Sequence, residues 1–464
     1  MKTPIRLIDR RVGVAAIWLL CALMLATFVK PATARMLHAT LLRSTPAANS
    51  RLDSAPPSIR LVFSEQVVPE LSQISVVDSA GATMALKVAN DPHDVHTLVG
   101  QVDRGLAPGR YKIVWRVLSA DGHPVGGNFT FSIAGSAAKA ATPIASTSLP
   151  ATDTATSTAS ADSLGTHAQM EMPESKPVPV VASVLRGLGL GALMTGVGLL
   201  FFGLTAREYG RLAPRSAIAR VIAIGAILLV IHLIVWMDHV SPTGHLSGAF
   251  VGSLFGSTIG RVELLRTILA VLTLWAIALA RHQKLALVIG VACLLISGAI
   301  GHPAAIDPLL AIPAKILHLL AATAWLGGLV WLVWLATSDE AAARAEAPRV
   351  SSIALISVIV VALSGLGQVV MFLNTVGDLI HSTYGKLVLA KIVGVVILVG
   401  YGAYNRFGLL PSIAANDSPA RLARSVRQEI TLMMVLVVIG GFLAYVPTPP
   451  VAQSAMNAQV GSLH

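Results

Sequence analysis

The chain has 464 residues, of which 54% are hydrophobic and 12% charged, with a formal net charge of +11. Soluble globular proteins carry about 25% charged residues, so this deficit argues against an ordinary water-soluble enzyme and points to lipid. The basic excess lies in short loops between apolar runs, where it reports membrane orientation and gives no reason to expect nucleic acid.

In chain order, the first segment carries Lys2, Arg6, Arg10 and Arg11, then an apolar run over residues 12–29, then Ala32-Thr33-Ala34. A basic start, an apolar stretch and a small-residue cleavage site predict a signal peptide over residues 1–34. Retained as an anchor, the same segment would still export the β-rich residues beyond it. Residues 38–135 change character. Ile59-Arg60-Leu61-Val62-Phe63, Ile74-Ser75-Val76-Val77 and Tyr111-Lys112-Ile113-Val114-Trp115 are short and rich in β-formers, and Asn128 to Ile133 alternates with a period near two. Turn residues such as Ala80-Gly81 and Ala107-Pro108-Gly109 punctuate them. The pattern predicts an all-β sandwich, Ig-like or cupredoxin-like. Residues 136–177 are rich in Ala, Ser, Thr and Pro, bury too little apolar surface to order themselves, and read as a flexible linker.

Residues 178–448 predict an all-α polytopic membrane bundle of about eight helices. Apolar spans centre near Leu190, Ile227, Val271, Leu294, Ala324, Val360, Val396 and Val437. Each is about twenty residues, the length that crosses a hydrocarbon core of roughly 30 Å. Arg207, Arg211, Arg215 and Arg220 follow the first span, Arg281 and Lys284 the third, Arg344 and Arg349 the fifth, and Arg406, Arg421, Arg424 and Arg427 the seventh. The positive-inside rule puts these loops in the cytoplasm. The β-domain and the tail, residues 449–464, then lie on the periplasmic side, in accord with the signal peptide. Cys21 and Cys293 both sit in apolar segments, so no disulfide framework is expected.

The thirteen histidines are clustered. His38, His93, His96, His123 and His167 belong to the exported part; His239, His245, His302, His318 and His381 fall at or near outer ends of spans, with Met237 and Met371. Imidazole suits copper or zinc and thioether favours Cu(I), so this belt reads as a metal route, although interfacial histidine is also common without a ligand. His318, in Lys315-Ile316-Leu317-His318, is the leading single candidate, with His302 and His239 at the outer mouth. In the β-domain, Asp121-Gly122-His123 can point to one side of an extended segment, and a third ligand from the N-terminal region, such as His38, would complete an exposed N/O site suited to Cu(II). The linker adds His167 with Met170 and Met172. No Walker loop, G-x-S-x-G or paired-Cys motif is present, so no enzyme is expected.

Several of these segments resemble a known family. His38-Ala39-Thr40-Leu41 with Ser44-Thr45-Pro46-Ala47, Leu61-Val62-Phe63-Ser64-Glu65, and Ser119-Ala120-Asp121-Gly122-His123-Pro124-Val125-Gly126-Gly127 with Phe129 and Phe131 resemble CopC copper-binding proteins. Gly301-His302, His318 with Trp325-Leu326-Gly327-Gly328, Ser382-Thr383-Tyr384-Gly385-Lys386 through Lys391, and Tyr404-Asn405-Arg406 resemble CopD. The whole looks like a CopC–CopD fusion. The resemblance implies a Cu(II) site from His38, Asp121 and His123. Cleavage after Ala34 leaves Arg35-Met36-Leu37 ahead of His38, so its imidazole serves without a terminal amine. The expected function is periplasmic copper capture and transfer into or across the inner membrane. Copper ions and the bilayer are the expected partners, with other periplasmic copper-resistance proteins as candidates and no nucleic acid. Two alternatives stand beside it: sequestration or sensing without transport, and a membrane oxidoreductase with haem between paired histidines such as His232 and His318.

Overall fold

The structure, a computed structural model, describes residues 39–64, 66–103, 105–119, 124–134, 178–206, 215–241, 246–298, 308–373, 375–414, 419–446 and 448–449. The expected signal peptide and linker, and all but the first residue of the expected C-terminal tail, lie outside these residues. The chain divides into a β-unit and a helical unit.

The β-unit is a sandwich of nine strands: β1 (Leu41–Thr45), β2 (Arg51–Leu52), β3 (Ser58–Phe63), β4 (Val67–Val77), β5 (Thr83–Ala85), β6 (Lys87–Asp91), β7 (Asp94–Gln101), β8 (Gly109–Ser119) and β9 (Pro124–Ile133). One sheet has the order β1-β3-β7-β6 and the other β2-β9-β8-β4-β5. Alternation makes the core: Ile59, Leu61 and Phe63 of β3, Tyr111, Ile113, Trp115 and Val117 of β8, and Phe129, Phe131 and Ile133 of β9 are all buried. Leu41 at the start of β1 pairs with Phe63. The Phe63 ring meets Trp115 of the other sheet edge-on at 5.2 Å. Gly127 passes directly over that indole, where an added Cβ would lie 2.2 Å from Trp115 Cζ2. The β6–β7 turn is tied by two carboxylates. Asp91 accepts the His93 backbone N–H at 2.9 Å and pairs with Arg60, and Asp94 accepts the Thr97 hydroxyl at 2.6 Å and the His96 backbone N–H at 3.0 Å. Those bonds hold both acids below the usual carboxylate range, the His93 amide contributing most at Asp91 and the Thr97 hydroxyl most at Asp94.

The helical unit contains α1 (Val180–Thr205), α2 (Arg215–Val240), α3 (Gly248–Gly256), α4 (Thr258–Ala278), α5 (Gln283–Gly298), α6 (Pro308–Ser338), α7 (Glu340–Phe372), α8 (Val376–His381), α9 (Thr383–Ala403), α10 (Leu410–Ala414) and α11 (Ala420–Leu443). A π-helical stretch, Tyr404–Leu409, joins α9 to α10. A helix stands at each of the eight expected span centres, and among the described residues six of them are long and apolar enough to cross a bilayer. The two exceptions have separate causes. The α5 helix has 16 residues, about 24 Å of rise. The α4 helix has 21 residues and carries Arg261, Glu263 and Arg266 within its apolar run.

Because lipid supplies no hydrophobic force between helices, small residues let backbones approach. At Gly198 of α1 and Gly327 of α6 a Cβ on Gly327 would lie 2.3 Å from the Gly198 Cα, so the two helices cross backbone to backbone. Gly187 of α1 and Gly441 of α11 form a second close crossing.

Gly327→Leu is expected to lower stability by at least about 1–3 kcal/mol through overpacking. Gly252→Ala on α3, with nothing within 4 Å of the added carbon, is the neutral control. Thermal unfolding of both variants in detergent checks this.

Candidate functional site

Three polar constellations lie inside the helical unit. The first centres on Glu263, 1% exposed, and Arg266, 0% exposed, one turn apart on α4. Arg186 of α1 donates Nη1–H to Glu263 Oε1 at 3.0 Å, and Arg266 ion-pairs with Oε2 of the same carboxylate. Arg266 also donates to His232 Nδ1 on α2 at 3.0 Å. A guanidinium cannot accept, so Nδ1 receives and the ring proton sits on Nε2, which donates to Tyr445 Oη at 2.6 Å. The Arg186 guanidinium lies 5.9 Å from the centre of the Tyr445 ring, and Cys293 of α5 donates its Sγ–H to the Arg266 carbonyl at 3.2 Å.

The second constellation borders a cavity of about 520 Å³ lined from α1, α5, α6, α7, α9 and α11. Its polar lining includes Arg186, Lys315, His318, Gln368, Tyr384 and Lys391, and among the described residues that line it none is Asp or Glu. His318 Nδ1 lies 3.0 Å from Ser364 Oγ on α7. The Ser364 hydroxyl proton is already given to the Val360 carbonyl at 2.6 Å, so its oxygen accepts from Nδ1–H. The lone pair of His318 is then on Nε2, the nitrogen a metal would use. His232 offers the opposite case, since both its ring nitrogens are taken.

The third lies nearer the other end of the bundle. Glu429 of α11, 2% exposed, accepts the indole N–H of Trp325 at 3.0 Å and the amide N–H of Asn405 at 2.9 Å. Trp325 also lines the cavity.

Of the six residues singled out from sequence, His38, Asp121, His123 and His302 lie outside the described residues. Asp121 and His123 belong to the segment between β8 and β9, and His38 immediately precedes Ala39. His239 is half-buried in the last turn of α2, and His318 lines the cavity. Among the described residues no three His, Cys, Asp or Glu side chains gather as a metal cluster. A reading built on histidine passes over Arg186, Glu263, Arg266 and Glu429. The available signal was a charged residue inside an apolar run, which is costly and marks function or buried pairing. The haem alternative loses His232 as an axial ligand, because Arg266 and Tyr445 occupy its nitrogens.

The CopC domain family matches residues 41–134, and the family described as copper resistance protein D matches residues 344–443. The chain is 24% identical over 461 residues to the copper transport protein CutJ of Bacillus subtilis (strain 168), covering 93% of this chain and 78% of that protein. It is 37% identical over 102 residues to copper resistance protein C of Pseudomonas syringae pv. tomato, covering 21% of this chain and 80% of that protein. It is 29% identical over 147 residues to copper resistance protein D of the same organism, of which it covers 47%.

Glu263→Gln is expected to destabilise the bundle by about 3–5 kcal/mol, because it leaves Arg186 and Arg266 buried without their carboxylate. Glu340→Gln, which removes an exposed partner of Arg344, is expected to cost less than about 1 kcal/mol. Melting temperatures of the two purified variants compare the effects directly.

Proposed function

We propose, from the premise that this chain belongs to the CopC–CopD copper-resistance family, that it captures copper in the periplasm and passes it into its helical bundle for transfer across the inner membrane. The observation that carries this reading is the union, in one chain, of a CopC sandwich with a bundle whose cavity holds an imidazole with a free lone pair. A binding and transport role, rather than an enzyme's, accounts for both parts.

In this reading residues 1–34 direct export, residues 136–177 tether the sandwich, and residues 449–464 lie outside with it. Cu(II) is held by His38, Asp121 and His123. In support, Leu41, three residues after His38, pairs with Phe63, and Phe63 touches Trp115, six residues before Asp121. Phe63 thus joins the strand that follows His38 to the strand that leads to the D-x-H segment. In the bundle, His239 and His302 form the outer mouth and His318 Nε2 is the first internal ligand. The end of the bundle that holds Arg186, His318 and Lys391 is the periplasmic one.

Sequestration or sensing without transport is the rival reading, and net movement of copper separates the two. Other periplasmic copper-resistance proteins are the candidate donors.

His123→Ala in the full chain is expected to weaken Cu(II) binding at least about tenfold, about 1.4 kcal/mol, in a competition titration; an unchanged affinity removes His123 from the site. In proteoliposomes holding the purified chain, His318→Ala is expected to abolish copper accumulation while remaining folded. Full accumulation by that variant rules out its role, and no accumulation by the wild-type chain favours sequestration.

A further inference from the structure

Glu429 is a buried acid that the copper path leaves unused. It lies nine residues after the start of α11 and is 2% exposed. Its two hydrogen bonds come from neutral donors, Trp325 Nε1 and Asn405 Nδ2, and no Lys, Arg or His pairs with it among the described residues. An ionised carboxylate away from water needs a cation or a proton, and neutral donors offset only part of its desolvation. Two further atoms sharpen the point. Asn405 Oδ1 and Ser425 Oγ are buried with no hydrogen-bond partner among the described residues. Asn405 already touches the carboxylate, and Ser425 sits one turn away on the same face of α11. Both can accept a carboxyl O–H.

The backbone singles out the same place. The π-helical stretch Tyr404–Leu409 carries Asn405, and such interruptions concentrate at functional sites. Trp325 links the acid to the cavity: its indole N–H binds Glu429, and it lines the same space as His318, two turns away on one face of α6.

The charged and titratable groups on the packed elements all stand off. On α6, His318 and Lys315 lie two and three turns along the helix. On α9, Lys391 Nζ sits beside Gly440, eleven residues from Glu429, while Lys386 is exposed and Tyr401 half-buried. In the π stretch, Arg406 donates to Ser351 at 2.9 Å and Tyr404 is exposed. Arg186 of α1 is paired with Glu263. Arg421, Arg424 and Arg427 occupy the exposed face of α11.

We propose that Glu429 is a proton-binding site that couples copper movement to proton movement through the bundle. The proposal rests on the reading that copper passes through the cavity. Protonated, Glu429 donates to Asn405 Oδ1 or Ser425 Oγ. A cation arriving at Trp325 stabilises the ionised form. The only bond that breaks is the carboxyl O–H, and its proton leaves to water on one side of the membrane. Departure of the cation lets Glu429 take a proton from the other side. No electron is transferred.

The test uses the full chain in proteoliposomes with a pH-sensitive dye inside and copper outside. Wild-type protein should move protons as copper accumulates, at a rate that depends on pH. Glu429→Gln should lose the proton signal and the pH dependence, with a rate at least tenfold lower. Glu429→Asp, which keeps a carboxyl, should retain both with a displaced pH profile. Wild-type accumulation without proton movement, matched by Glu429→Gln, overturns the coupling while leaving transport intact. Should the wild-type chain accumulate no copper, infrared difference spectra decide the site. A protonated-carboxyl band that changes on adding copper and is missing from Glu429→Gln supports it. Absence of that band from the wild-type chain at every pH overturns it.

Discussion

Two buried arginines sharing one buried carboxylate is the constraint around which the helical unit is arranged. Glu263 receives Arg186 from α1 and Arg266 from its own helix, and Arg266 reaches on to His232 of α2 and, through it, Tyr445 beyond α11. None of these groups could be buried alone, because an uncompensated charge in such surroundings costs several kcal/mol. Their pairing requires α1, α2, α4 and the end of α11 to meet in one register. It also accounts for α4, which carries too much charge to read as a lipid-facing span and is stable because its charges turn inward.

The cavity follows from that arrangement. Arg186 belongs to both the ionic cluster and the cavity lining, so the cluster fixes one wall of the space that His318 enters from α6. On the opposite wall, Ser382 caps the start of α9 by accepting the Gly385 N–H at 2.9 Å. A Cβ on Gly385 would lie 2.1 Å from the Asp378 carbonyl, so glycine lets α9 start hard against α8. Tyr384 and Lys391 then line the cavity from the first turns of α9. Imidazole, ammonium and guanidinium groups converge there because each is held by a helix whose position is set elsewhere.

The sandwich was legible in the sequence because inward and outward residues alternate, as in Ile59, Leu61 and Phe63. The helices were legible because apolar runs of the right length have few other fates. Partnership was not legible. Arg186 and Glu263 are 77 residues apart, and a hydropathy average counts each as a penalty when together they neutralise. His232 and His318 look alike in sequence, both being histidines within apolar helices. Only their neighbours, Arg266 for one and Ser364 for the other, decide which nitrogen keeps a lone pair. Glu429 was missed for the same reason, since its meaning lies in Trp325 and Asn405.

The glycine contact between α1 and α6 also bears on motion. Two helices that touch through bare backbone at Gly198 and Gly327 have no interlocking side chains at that point. Such a contact resists separation but offers little resistance to a change of crossing angle. It acts as the pin of a pair of scissors. The blades on one side carry Arg186 and His318, and α6 carries Trp325 almost at the pin itself. A small rotation there widens one end while narrowing the other, so the geometry favours a rocking motion about a fixed axis over a piston-like slide.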